Sequence, residues 1–325
     1  MAYRFKTNEP LAKGFRRVAS QQIGAAEKRL AMPVVDPVQV HEARKNLKRT
    51  RALLRLMRPA LGEVVFKREN IRLRDAGQQL SARRDIDVID QTILKLEAGP
   101  ARIPAAVTAK LRSAVASARD GLDKTNGGLE LQVAADVLRQ SLSALRRIKF
   151  EEDGFDLVSP GLKQSYAACR RAFKEAYHQP CEESSHEWRK TIQQHWRQML
   201  LLSKAWPEVL LPRARAARQI SELLGEDHDL AILQAYLKAH PDLSLTARER
   251  QRIEAYCSAR QAEIRTQCRP LGARLLAESP KDHVHRIGSY WQAAADIGDV
   301  AGGTEPEAAT SQPTPAPGTA PDKVV

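Results

Sequence analysis

The residues best placed to do chemistry in this chain are cations gathered on one helical face. Taking about 100° per residue for an α-helix, Arg44, Lys45, Lys48, Arg49, Arg51 and Arg55 all project within about 80° of His41. Ala43, Leu47, Leu54 and Met57 project to the opposite side, and the one acid, Glu42, lies off the cationic arc. Such groups bind oxyanions. Guanidinium forks and ammonium groups supply N–H donors and charge, without a nucleophile or a base. A solvated helix face usually mixes signs in i,i+4 pairs. Here the pairs Arg44/Lys48, Lys45/Arg49 and Arg51/Arg55 are like-charged, which destabilises a helix by a few tenths of a kcal/mol each. A face built against its own electrostatics implies an anionic ligand.

The pattern returns. His186-Glu187-Trp188-Arg189-Lys190 repeats His41-Glu42-Ala43-Arg44-Lys45, and Arg218…Leu224…Asp229-Leu230-Ala231-Ile232 repeats Arg74…Leu80…Asp85-Ile86-Asp87-Val88 at almost the same offset. The second basic helix sets Arg189, Lys190, Arg197 and Lys204 on the His186 face, with Trp188, Ile192, Met199 and Leu202 opposite. Gln193 and Gln194 stand where the first copy has Lys48 and Arg49, so the second surface is expected to be the weaker. A third candidate face, from about Gly161 to Tyr177, carries Lys163, Tyr166, Arg170, Lys174 and Tyr177. Its two tyrosines either offer hydroxyls to an oxyanion or pack.

Other chemistries find less support. Asp85/Asp87 and Asp227/Asp229 form carboxylate pairs, a pattern open to general acid–base work or magnesium binding. Following a leucine-containing helix end, they suit helix caps better. His41 and His186 lie beside Arg and Lys, which disfavour a metal cation and lower an imidazole pKa. His195 projects to the apolar side of its helix and suits a core position, whereas His283 and His285, near a proline break, suit the surface. No cofactor or metal motif is present. The four cysteines have no CxxC spacing and are expected to be reduced.

The elements that must hold these faces are helices. Helical periodicity runs from about Pro10 to about Ala295, interrupted at Met32-Pro33, Asp36-Pro37, Gly99-Pro100, Asn126-Gly127-Gly128, Ser159-Pro160-Gly161, Gln179-Pro180, His240-Pro241 and Ser279-Pro280. No stretch alternates apolar and polar residues as a strand does. Asp36 followed by Pro37 suits an N-cap with proline at the first helical position. The expected class is all-α. The expected organisation is one helical repeat over 1–155, a second over 156–292, and a disordered Pro/Ala/Thr-rich tail over 293–325 that cannot bury enough surface to order itself.

Composition agrees with a polyanion partner. Lys and Arg number 52 against 39 Asp and Glu, a formal charge of +13 in 325 residues. From Ala301 to Val325 the chain carries Glu305, Glu307 and Asp322 against Lys323, so the surplus lies on the helices. Aromatics make up 5%, too few for a base-stacking platform, and no helix-turn-helix, zinc-finger or RNA-recognition signature appears. Nucleic acid remains an alternative partner, since any basic groove attracts a phosphate backbone. The N-terminus has no apolar signal segment and no apolar run approaches a membrane span, so a cytoplasmic protein is expected.

On these residues the sequence resembles the CHAD family, the conserved-histidine α-helical domain. The resemblance rests on His-Glu-x-Arg-Lys opening a basic helix in both halves, on Arg83-Arg84-Asp85-Ile86-Asp87-Val88, and on Leu224-Gly225-Glu226-Asp227-His228-Asp229-Leu230-Ala231-Ile232-Leu233. It covers roughly residues 5–292. It implies two pseudo-symmetric four-helix units around a basic central groove or pore, and non-enzymatic binding of inorganic polyphosphate, in many members at polyphosphate granules. By position it implicates His41, Arg44, Lys45, Lys48, Arg49, Arg55, His186, Arg189 and Lys190, with Arg74 and Arg218 on following helices.

Overall fold

The structure, a computed structural model, describes residues 3–32, 35–80, 82–98, 103–123, 127–151 and 153–303. Among these residues every regular element is helical. The first half of the chain forms α1 (Leu11–Leu30), α2 (Pro37–Leu56), the single turn α3 (Arg58–Leu61), α4 (Glu63–Gln79), α5 (Ala82–Ala98), α6 (Ala105–Asp123) and α7 (Gly127–Arg146). After a short 3-10 turn come α8 (Ser159–His178), α9 (Glu182–Leu201), α10 (Pro207–Ala239), α11 (Ala247–Leu275) and α12 (Pro280–Gly303).

The two basic helices start by the same device built from different residues. Asp36 caps α2: its carboxylate accepts from the Gln39 amide at 2.7 Å, and the Gln39 side chain accepts from the Asp36 amide at 3.0 Å, with Pro37 next in line. This reciprocal cap satisfies two amides that the helix itself leaves without partners. In α9 the corresponding position is Cys181, whose sulfur accepts from the Ser184 amide at 3.3 Å while the Ser184 hydroxyl accepts from the Cys181 amide at 3.1 Å.

Helices α1, α2, α4 and α7 pack around one core, with α1 touching α2 and α7, and α4 touching the same two. Phe15, Ile23, Leu53, Leu54, Leu73 and Leu138 are among the side chains fully removed from water there, each contributing about 1.5–3 kcal/mol. Glu69, completely buried, ties α4 to α7 by accepting from the Ser141 hydroxyl at 2.8 Å, and Arg68 and Arg72 balance its charge. A second core lies among α8, α9, α10 and α11, where Trp188, Ile192, Leu224, Leu233 and Ile264 are buried.

Neither core respects residue 155. The α5–α6 hairpin inserts Ile89, Ile93, Val107 and Leu111 into the second core, with α5 against α10. Conversely, Met199, Leu201, Leu210, Ile287 and Trp291 complete the first. The sequence repeats therefore share their interiors. Between α2 and α8 the approach is close enough to require glycine: a Cβ on Gly161 would lie 1.8 Å from the Leu56 carbonyl oxygen.

Two expectations change here. Asp227 and Asp229 do not cap a helix, because α10 runs unbroken where the first copy breaks between α4 and α5. Asp227 instead lies buried in mid-helix and accepts from Arg265 Nε at 2.9 Å, joining α10 to α11. In the first copy Asp87, near the start of α5, accepts from Arg119 at 2.9 Å. The segment expected to be tail from 293 is helical as far as Gly303: α12, anchored by Trp291, continues through Ala293, Ala294 and Ala295, which have the highest helix propensity. Residues 304–325 lie outside the described residues, as do Pro33, Gly99, Pro100 and Asn126 among the expected breaks.

Candidate anion-binding site

The two basic helices face one another. α2 and α9 pack together and, with α4, line an open cleft of about 390 Å³. α2 contributes Arg44, Lys48, Arg51 and Arg55; α4 contributes Arg74; α9 contributes His186, Arg189, Lys190 and Arg197. Leu47, Ala52 and Leu73 supply its apolar lining, and Gln78, Gln193 and Gln194 add neutral amides. The two basic faces are thus two walls of one cleft.

Its cations are compensated only in part. Among the described residues, Arg51, Arg55 and Arg197 have no carboxylate within ion-pair distance, although Glu187 is near enough to Arg55 to favour its charge. Burial, with repulsion from Arg55 and Arg74, lowers the Arg51 pKa to about 10. Arg197, 6% exposed, is likewise lowered to about 10, chiefly by burial. Both remain cations at neutral pH. Their donors are held by neutral groups: Arg51 Nε gives to Asn70 Oδ1 at 3.0 Å, and Arg197 Nη1 gives to the Gln193 carbonyl at 2.7 Å while its guanidinium sits 4.5 Å from the Trp196 ring centroid. Arg44 is steered by the Gly77 carbonyl, which accepts from it at 2.7 Å. Arg74 and Lys190 pair with neighbouring acids on their own helices, Asp75 and Glu187. The arrangement can grip a chain of phosphate or similar oxyanions by rigid, preplaced donors.

His186 stands at the α9 wall with its ring 4.8 Å from that of His228 on α10. Burial lowers its pKa first, with Lys190 and Arg189 adding to the effect. The depression expected from its neighbours is present, but desolvation is the larger cause.

Other predicted positions lie elsewhere. His41 is exposed near the start of α2 and does not line the cleft, and Lys45 pairs with Glu42 at 2.8 Å. Arg49 turns toward the N-terminal segment, its guanidinium 5.6 Å from the Tyr3 ring centroid while Tyr3 donates to the Arg49 carbonyl. Arg218 pairs with Glu222 at 2.7 Å outside the lining. Lys163, Arg170 and Lys174 on α8 also lie outside it.

Tyr166 is a core residue. It is fully buried, stacked 3.9 Å from the His283 ring, with its hydroxyl toward the Leu275 carbonyl at 3.4 Å. Tyr177 donates to the Arg265 carbonyl at 2.7 Å. Of the two readings open for these tyrosines, packing holds.

His195 is buried as expected, but His283 is buried too, against the expectation of a surface position. The spacing His283, Ile287, Trp291 marks the inward stripe of α12 and was the signal for it. His228, within the Leu224–Leu233 motif, carries no such signal in the sequence. Its proximity to His186 depends on how α9 and α10 pack. Among the described residues, no group of three or more His, Cys, Asp or Glu side chains is placed to hold a metal ion.

An all-helical chain with basic helices converging on an open cleft defines the class as a helical protein with a candidate anion-binding surface. The sequence model of the CHAD domain matches residues 17–238, and the chain belongs to the CHAD family. Its fold is similar to the crystal structure of the CHAD domain from the plant Ricinus communis, with a TM-score of 0.57 and 15% identity over 84% of this chain and 94% of that one. No curated protein matches.

Proposed function

We propose that the cleft binds inorganic polyphosphate without making or breaking a bond. The observation that carries this reading is the convergence of cations from α2, α4 and α9 on one open space, three of them with no carboxylate partner among the described residues. Polyphosphate carries about one charge per phosphate along a flexible chain, and preplaced guanidinium and ammonium donors match such a ligand without reading any base. Membership of the CHAD family is compatible with it. In this reading the two repeats, 1–155 and 156–292, form pseudo-symmetric units that each supply one wall of a basic groove, and the protein acts in the cytoplasm, at polyphosphate granules where these exist. No helix among the described residues is long and apolar enough to cross a membrane.

General polyanion or nucleic-acid binding is the rival, because the cationic walls would also attract a nucleic-acid backbone. Titrating the protein with polyphosphate, heparin and duplex DNA at matched charge and salt separates the two. Preference for polyphosphate supports the proposal, and equal affinities reduce it to a general polyanion site. Incubation with polyphosphate and magnesium should release no orthophosphate above a buffer control; release that stops with Asp229→Asn would replace binding by hydrolysis.

A further inference from the structure

The cleft contains one group able to change charge near neutral pH. His186 lies on its wall beside the His228 ring, and its buried Nδ1 has no hydrogen-bond partner. On its own helix Lys190 and Arg189 oppose a second ring proton, while Glu187 and Glu182 favour it less strongly. Across the cleft, every charged side chain that α2 and α4 present to the lining is a cation, Arg55 and Arg74 among them. α10 contributes His228, and its Asp227 is paired with Arg265 on α11. In the free protein burial and the neighbouring cations therefore disfavour the protonated ring.

A bound polyanion reverses this balance. It brings several negative charges into the space that the cations now dominate, and an opposite charge within ~4–6 Å favours the protonated ring. We infer that polyanion binding in this cleft takes up a proton at His186, so that acidification tightens binding. The inference rests on the polyphosphate reading and adds its regulation by pH. Internal phosphates of a long chain are strong acids and stay singly charged between pH 5.5 and 8. Only the two terminal groups titrate there, with a second pKa near ~6. A long chain thus leaves the protein as the main source of any proton exchange.

Calorimetric titration with long-chain polyphosphate in buffers of different ionisation enthalpy counts the protons taken up. The expected result is a fractional uptake near pH 6.5, and an affinity higher at pH 5.5 than at pH 8 by several-fold, with about tenfold as the ceiling, if the ring's pKa rises by one unit on binding. His186→Gln should remove the uptake and flatten the pH dependence. NMR titration of the wild-type histidine ring protons, with and without ligand, reads the same shift without a variant. Binding by the wild-type protein with no uptake overturns the inference and leaves the polyphosphate reading standing. Uptake that persists in His186→Gln and disappears in His228→Gln assigns the proton to the wrong ring and also overturns it. No binding at any pH sinks both.

Discussion

Arg51 and Arg55 stand one helical turn apart on α2, both lining the cleft, with repulsion between them contributing to the lowered pKa of Arg51. A pair of half-buried cations held side by side costs the fold stability and gains only when an anion arrives. Arg51→Gln and Arg55→Gln should each weaken polyphosphate binding by about tenfold, the loss of one charge-assisted contact. Stability should stay within about 1 kcal/mol of the parent, or rise. Binding isotherms and urea unfolding measure both. If affinity holds while stability falls, these arginines are structural.

Affinity should fall linearly on a log–log plot against salt, because neutralised phosphates release counterions. If about half of the eight Arg and Lys side chains lining the cleft make contact at once, the slope is near −3, taking ~0.7 per contact from single-stranded nucleic acid as a guide. Arg44→Ala should make the slope shallower by under one unit. Arg218→Ala, outside the lining and paired with Glu222, should leave it unchanged. A flat salt response would point to a neutral, shape-selective pocket.

The buried cluster of Tyr166, His195 and His283 should make the fold sensitive to acid. Burial lowers the His283 pKa from 6.5 to about 4, against the opposing hydrogen bond from Glu278, and lowers His195 well below its ordinary value. Unfolded, both rings take a proton near 6.5. Their contribution is therefore complete above that value and is lost as pH falls from about 6.5 toward 4. For His283 alone the loss is on the order of 3 kcal/mol. Urea unfolding between pH 7 and 4.5 should show the decline, and His283→Phe should make it shallower. Stability that does not change over this range would mean that the rings are not held neutral in the fold.

Two glycine substitutions should have opposite signs. Gly161→Ala forces a methyl against the Leu56 carbonyl, and the separation of α8 from α2 should cost roughly 1–3 kcal/mol. Gly24→Ala, in α1 with nothing within 4 Å of the added carbon, should stabilise by about 0.5–1 kcal/mol. Thermal unfolding of both variants checks the contact, and equal shifts would argue that α8 and α2 are not so closely seated.

Much of this protein is determined locally and was legible in sequence. The all-helical class follows from periodicity and from breaks such as Gln179-Pro180 and Ser279-Pro280, since helix hydrogen bonds join residues four apart. The Asp36 cap is a contact across three residues and needs no tertiary context. The cationic face of α2 follows from the same angle of about 100° per residue, and membership of the CHAD family from repeated short motifs. What lies opposite each face depends on helix packing, which no local rule contains. Arg49 and Arg51 sit at equal angles on either side of His41, yet α4 and α9 turn Arg51 into the cleft while the N-terminal segment claims Arg49. Tyr166 lies at the border of a basic face and an apolar stripe, and α12 settles the matter by laying His283 on its ring. Helix periodicity gives the direction of a side chain about its own axis; only the packed neighbours determine whether that direction leads to water, to core or to a shared cleft.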